Sequence, residues 1–239
     1  MFAETEKKKD LLNARRPLSE NLKDYEEALA LFDLAYTSLK LDGSALTAEG
    51  VNRIIQGGIV EGVSLREHDE IESFRGILRV FADMLHMGVT LDRRELVRIY
   101  GVLTRDANPR FRSGSPILYH LDYTPTHYSD IPSALDRLFR ELFARDYGGD
   151  CIRRAADMHD GIIAIYPFSE RTETLAVMAL QYELVRNGYP IAPLGLKDRD
   201  YNEMVANGIK SGDHDALYAC VLDAVDQKID LLLELSKDA

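Results

Sequence analysis

The stretch that decides the fold is His159–Ile191, HDGIIAIYPFSERTETLAVMALQYELVRNGYPI. It reads as helix, turn, helix. Ala155, Met158, Ile162, Ile163 and Ile165 make an apolar stripe at helical spacing. Pro167 predicts the end of that helix, because a proline disfavours helical geometry in the residue before it. The turn Pro167–Glu173 is polar. A second apolar helix follows with Leu175, Met178, Leu180, Tyr182, Leu184 and Val185, and Asn187–Gly188 stops it.

Outward from this pair the rest also reads as helices. Residues up to about Pro17 are densely charged, with Lys7–Lys9 and Arg15–Arg16, and read as a frayed leader or a short surface helix. From the N-cap candidate Ser19, residues Leu22, Tyr25, Leu29, Phe32, Tyr36 and Leu39 recur at threes and fours until Asp42–Gly43. Val51, Ile54 and Ile55 predict a short helix that halts at Gly57–Gly58. Ser64 to Glu67 is a capping box opening a helix that buries Ile71, Phe74, Leu78, Phe81 and Leu85. Leu96, Ile99 and Leu103 mark another, and Leu135, Leu138, Phe139, Leu142 and Phe143 one more behind Asp130. Residues 201–235 give two further helices. Asn108–Pro132 differs: it is punctuated by prolines and Gly114, and Pro116–Tyr123 is β-prone, so a short hairpin is expected there.

Composition narrows the function classes. The 239 residues carry a net charge of −11 and 46% hydrophobic residues. An acidic chain is a poor partner for nucleic acid or an anionic membrane, whose binding rests on Lys and Arg clusters. Two cysteines, Cys151 and Cys220, exclude a disulfide framework and read as free thiols. No apolar run reaches membrane-spanning length and no secretory signal is legible. The expected location is therefore cytoplasmic, with export as an effector left open. His68 and His86 have no carboxylate or cysteine partners at ligand spacing and read as surface or packing residues. His159 reads as structural.

The helix–turn–helix resembles the signature of the Fic (Fido) family, H-P-F-x-[D/E]-G-N-G-R-x-x-R, whose members usually transfer AMP from ATP to a protein hydroxyl. The resemblance runs over roughly residues 40–225 and keeps the Ile-x-Pro-Phe frame and the Gly188–Tyr189–Pro190 after the second helix. It fails at the chemistry. Tyr166 stands at the catalytic His. Pro167 and Phe168 match, and Glu170 keeps the acidic position. Arg171, Thr172, Glu173 and Thr174 replace Gly-Asn-Gly-Arg, and Val177 replaces the second Arg.

The resemblance implies a mainly α fold: a Fido-type helical bundle over 43–239, an N-terminal charged leader and helical extension over 1–42, and one small β-hairpin as the flap. A phenol of ordinary pKa near ~10 is a poor base at neutral pH. Glu173 and Arg171 fill a phosphate cradle that depends on glycine. The expected function is therefore a degenerate Fic domain without AMP transferase activity, kept as a protein-binding or regulatory module. The alternative is a divergent transferase that modifies a protein hydroxyl with a nucleotide or phosphate-containing donor. No cofactor and no metal is expected, Glu170 being a Mg²⁺ ligand only if a phosphate donor such as ATP binds.

The resemblance implies two further positions. Gly57, Glu61 and Gly62 fall where many Fic proteins carry an inhibitory [S/T]-x-x-x-E-[G/N] motif. The usual arginine partner is lost at Val177, so Glu61 is expected either to pair with Arg171 or to be solvated. Ile117, Leu118, Tyr119, Leu121 and Tyr123 fall in the flap, where a target segment adds to an open strand edge. A protein partner docked by strand pairing is the expectation.

Overall fold

The computed structural model describes residues 1–194 and 198–237. Among these there are ten α-helices: α1 Phe2–Ala14, α2 Glu20–Leu41, α3 Ala48–Ile55, α4 Leu65–His86, α5 Arg93–Thr104, α6 Ile131–Ala144, α7 Cys151–Ile165, α8 Thr172–Arg186, α9 Asp198–Ser211 and α10 Asp215–Leu235. A single 3₁₀ turn, Tyr128–Asp130, leads into α6. The fold is mainly α, as the periodicities predict.

α7 and α8 form the centre and make the most extensive helix–helix contact in the molecule. Their burial explains their sequence. Eleven consecutive residues of α8, Thr174–Leu184, are essentially inaccessible, which is why that helix is apolar nearly all round. Most of its polar atoms are partnered, Glu183 Oε2 and Arg186 Nε having no hydrogen bond. Gln181 donates to the Ala192 carbonyl at 2.7 Å and accepts from the Ala192 N–H at 3.1 Å. Glu183 accepts two bonds from Arg154, at 2.7 and 2.5 Å. α4 and α5 pack on each other, α5 and α2 both lean on α8, and α6 and α9 flank α7.

Local signals hold where they are explicit. The capping box forms in both directions, with the Ser64 hydroxyl accepting from the Glu67 N–H at 3.2 Å and Glu67 accepting from the Ser64 N–H at 3.0 Å. α7 stops at Ile165, two residues before Pro167.

Two readings become more specific. Of the two readings of the charged leader the helix holds, and it is docked. α1 lies along α10, burying Thr5 and Leu12. The Thr5 hydroxyl and Lys8 both donate to Asp226 at 2.8 Å, and Lys8 also reaches Asp230 at 2.8 Å. The hairpin contracts to one antiparallel bridge. Leu118 N–H donates to the Tyr123 carbonyl at 3.0 Å and Tyr123 N–H returns a bond to Leu118 at 3.3 Å. Pro116 and Pro125 bound the segment too closely for a longer ladder. No helix among the described residues is long and apolar enough to cross a membrane.

Candidate functional site

The site is the turn between α7 and α8 with what surrounds it. Tyr166 caps α7 in the left-handed region, φ 51°, a conformation a glycine adopts most easily. Its carbonyl and that of Ile165 are helix C-terminal acceptors without partners inside the helix. Arg112 satisfies both. Its Nε donates to Tyr166 O at 2.6 Å and its Nη2 to Ile165 O at 3.1 Å. The same guanidinium bonds the Gly114 and Thr126 carbonyls of the flap segment, and the Arg112 N–H donates to Pro167 O at 3.0 Å. Arg112 is only 5% exposed. It therefore bolts the flap to the end of α7. The Pro-Phe frame is held from the other side, where Phe168 stacks on Tyr100 with ring centroids 3.6 Å apart, and the Tyr100 hydroxyl donates to Glu170 O at 3.3 Å.

Arg171 follows as the N-cap of α8, also left-handed at φ 57°. The backbone thus keeps a shape suited to glycine while an arginine occupies it, at a cost of about 1–2 kcal/mol. The arginine turns back to α2. Its Nη2 donates to Asp42 at 2.9 Å, and Nη1 lies 3.5 Å from Glu70. Thr174 also donates to Asp42, at 3.1 and 3.2 Å to the two oxygens. The Asp42 carboxylate therefore sits at the first turn of α8, where a helix N-terminus attracts an anion. Burial raises the Asp42 pKa, and Glu70 and Glu173 raise it further, while Arg171 and the Thr174 hydroxyl oppose them. The adjoining cleft, about 370 Å³, is lined by Asp42, Gly43, Ser44, Glu67, Glu70, Glu170 and Arg171.

Glu173 points the other way. Its Oε2 accepts from the Tyr166 hydroxyl at 3.3 Å, and its Oε1 lies 3.3 Å from His120 Nε2 on the flap turn. Burial, with Glu173 beside it, pushes the Tyr166 phenol well above its ordinary pKa. Thr172 staples the turn, its hydroxyl donating to Phe168 O at 3.1 Å. Val177 is fully buried.

The structure thus gathers Tyr166, Glu170, Arg171, Thr172, Glu173 and Thr174 around one turn. Gly57, Glu61 and Gly62 are not brought to it as a partner for Arg171. Glu61 is exposed on the α3–α4 loop and Arg171 is engaged by Asp42 and Glu70, which is the solvated one of the two arrangements expected for Glu61. In the flap, Leu118 and Leu121 point into the core, Tyr123 is half-buried, and Ile117 and Tyr119 are 56% and 84% exposed. Asp42 and His120 were not legible as site residues. Asp42 reads as a helix stop, and nothing in the sequence around His120 carries a spacing signal.

No protein-family model matches the chain. Its sequence is 24% identical over 243 residues to the protein adenylyltransferase Fic of Culex quinquefasciatus. That match covers 97% of this chain and 47% of the mosquito protein, so the chain spans about half the length of this curated relative. Solved structures share the fold. A Fic-domain-containing signalling protein of Bacteroides thetaiotaomicron matches with a TM-score of 0.82 at 15% identity, covering 98% of each chain. Fic-1 of C. elegans matches with a TM-score of 0.76 at 19% identity, over 99% of this chain and 72% of that one. A Fic family protein of Desulfovibrio desulfuricans gives 0.69 at 16%, over 98% and 74%.

Proposed function

Because the chain has the Fic-domain fold, we propose that it is a protein-binding or regulatory module that has given up AMP transfer, with the flap as its docking surface. The observation that carries this reading is the Asp42 carboxylate held by Arg171 and Thr174 at the start of α8. A helix N-terminus is where a phosphate would be stabilised, and Asp42 lies beside that first turn, bonded to the side chains of Arg171 and Thr174.

The charges decide the balance. A carboxylate about 4 Å from a phosphate charge costs roughly 4 kcal/mol at an effective dielectric of 20. Asp42, Glu70 and Glu170 line the cleft and Glu173 lies beside it, with Arg171 the one cation on its wall among the described residues. The helix end returns only ~0.3–1 kcal/mol. The residues present do not fit Mg·ATP. Tyr166, held protonated, is no substitute for an imidazole base.

The expected result of calorimetric titration with Mg·ATP, GTP or CDP-choline is no binding at sub-millimolar affinity, and radiolabelled ATP is expected to label no protein. A labelled band lost in Tyr166→Phe would overturn the reading. One observation favours a divergent transferase as the second reading: His120 on the flap brings an accessible imidazole beside Glu173 and Tyr166. A band lost in His120→Ala would establish it.

The docking half of the proposal rests on the exposed Ile117 and Tyr119 beside a single bridge pair, with unpaired backbone left at the segment's edge. Ile117→Pro removes a backbone donor and should abolish capture of a protein partner in a pull-down. Tyr166→Ala should leave capture nearly unchanged. The reverse ranking would make the signature turn the functional surface.

A further inference from the structure

Asp160, on α7, is completely buried. Its Oδ1 lies 2.9 Å from Nδ1 of His159, also completely buried, and its Oδ2 lies 2.6 Å from Nδ1 of His214, the N-cap of α10. An ionised carboxylate only accepts, so both histidines donate through Nδ1. His159 Nε2 then accepts from the Tyr201 hydroxyl of α9 at 2.9 Å, a phenol that burial keeps protonated. Four side chains, those of Asp160, His159, Tyr201 and His214, thus form one network in which two histidines bond the carboxylate directly. The backbone is fitted to them: a Cβ at Gly208 of α9 would come 2.1 Å from Asp160 Oδ2 and 2.8 Å from His214 Nδ1. A cavity of about 250 Å³, lined in part by Gly161, Gly208, Gly212 and His214, opens beside the pair, and the His214 side chain is 21% exposed.

We infer that Asp160 and His214 form a proton-operated fastener that clamps the α9–α10 corner onto the signature helix, closed when His214 carries its proton and loosened when it does not. A fully buried carboxylate needs a positive partner, and His214 is the group that can supply or withdraw one near neutral pH. The other charged groups facing His214 do not replace it. On α7, Asp157 is tied to Arg145 of the α6 end at 2.9 Å, and Arg153 to Asp215 of α10 at 2.5 Å. Glu141 of α6 lines the cavity, and Asp213 precedes the ring.

Geometry and titration agree in sign. The hydrogen bond to Asp160 raises the His214 pKa above its ordinary value of 6.5, against the opposing effect of burial. Its contribution is therefore complete below pH 6.5 and is lost as pH rises through the folded-state pKa. Burial works against the Asp160 charge, yet the bonds from His159 and His214 outweigh it and hold its pKa below the ordinary 3.8. The acid limit of the fastener lies below that value. α9 also holds the flap, since Lys210 pairs with Asp122 at 3.0 Å. What docks at the flap rests on the proposed function, whereas the following test concerns the fastener alone.

Amide exchange protection over residues 205–214 of the full chain, measured at pH 6 and pH 9, tests it. The wild type should lose about tenfold in protection for each pH unit by which His214 is raised. His214→Gln should be weakly protected at both pH values, and His214→Lys should keep its protection at pH 9. Should either variant fail to fold, the imidazole titration of His214 in the wild type, followed by NMR, decides. A midpoint above 6.5 supports the fastener. A midpoint at or below 6.5, or a pH-dependent loss in His214→Gln equal to that of the wild type, overturns it.

Discussion

Arg112→Met should be among the most destabilising single substitutions in this chain, costing about 4 kcal/mol or more. The estimate comes from counting acceptors. The guanidinium satisfies the carbonyls of Ile165 and Tyr166 at the end of α7 and those of Gly114 and Thr126 in the flap segment. Methionine fills much of the volume and supplies no donor. A buried polar group left without a partner costs roughly 1–3 kcal/mol, and water can reach only some of these four. A cation at a helix C-terminus is lost as well. For a chain of this size, 4 kcal/mol corresponds to a fall of about 10 °C in Tm. Arg112→Lys should recover little, because an ammonium cannot reproduce the planar fork. Urea unfolding checks the prediction: the midpoint should fall with the m-value unchanged. A loss below about 1.5 kcal/mol would mean that the flap does not depend on this bolt.

A loss of similar size is expected at the buried pair between Asp33 of α2 and Lys228 of α10, whose side chains are 7% and 6% exposed. Lys228→Met leaves a carboxylate alone in the interior and should cost about 3–5 kcal/mol. Asp33→Leu in the same background should return most of that, since two apolar groups of similar volume need no charge partner. The pH dependence separates this account from simple loss of packing. Burial already raises the Asp33 pKa against the pull of Lys228. Without the lysine it must rise further, so the deficit of Lys228→Met should shrink as pH falls and Asp33 takes up a proton. A deficit that is flat with pH, or a double variant no better than the single one, would refute the charge argument.

How far the sequence could be read follows from where the physics is local. The helices were legible because their signals lie within one or two turns: the stripe ending at Pro167, the box Ser64–Glu67, the stop at Asn187–Gly188. The Tyr166–Val177 substitutions were legible because the signature is contiguous. Whether the leader is docked or frayed is not legible locally, because Thr5 and Lys8 find their partners at Asp226 and Asp230, more than two hundred residues away. The small hairpin is a single bridge, because β-propensity in Ile117–Tyr123 reflects a half-buried surface as much as a ladder. Neither Asp42, which reads only as a helix stop, nor His214 carries a site signal in the sequence. Each becomes a site residue only when another helix delivers its counterpart, Arg171 in one case and Asp160 in the other.

The Asp42–Arg171–Thr174 clasp has a consequence for any attempt to write the full Fic signature into this turn. Rewriting the turn alone, Tyr166→His with glycines at 171 and 173 and arginines at 174 and 177, removes the guanidinium and hydroxyl that now balance Asp42. That carboxylate would face Glu70 with its present partners gone, and a new arginine at 174 would be drawn to it before any nucleotide. Changing Asp42 first strands Arg171, whose Nε is already buried without a partner and whose remaining ion pair is Glu70 at 3.5 Å. Breaking either half of the clasp alone thus leaves a charge short of its partner, and the two halves have to move together. Asp42, at the end of α2, lies more than a hundred residues from the turn whose side chains it ties.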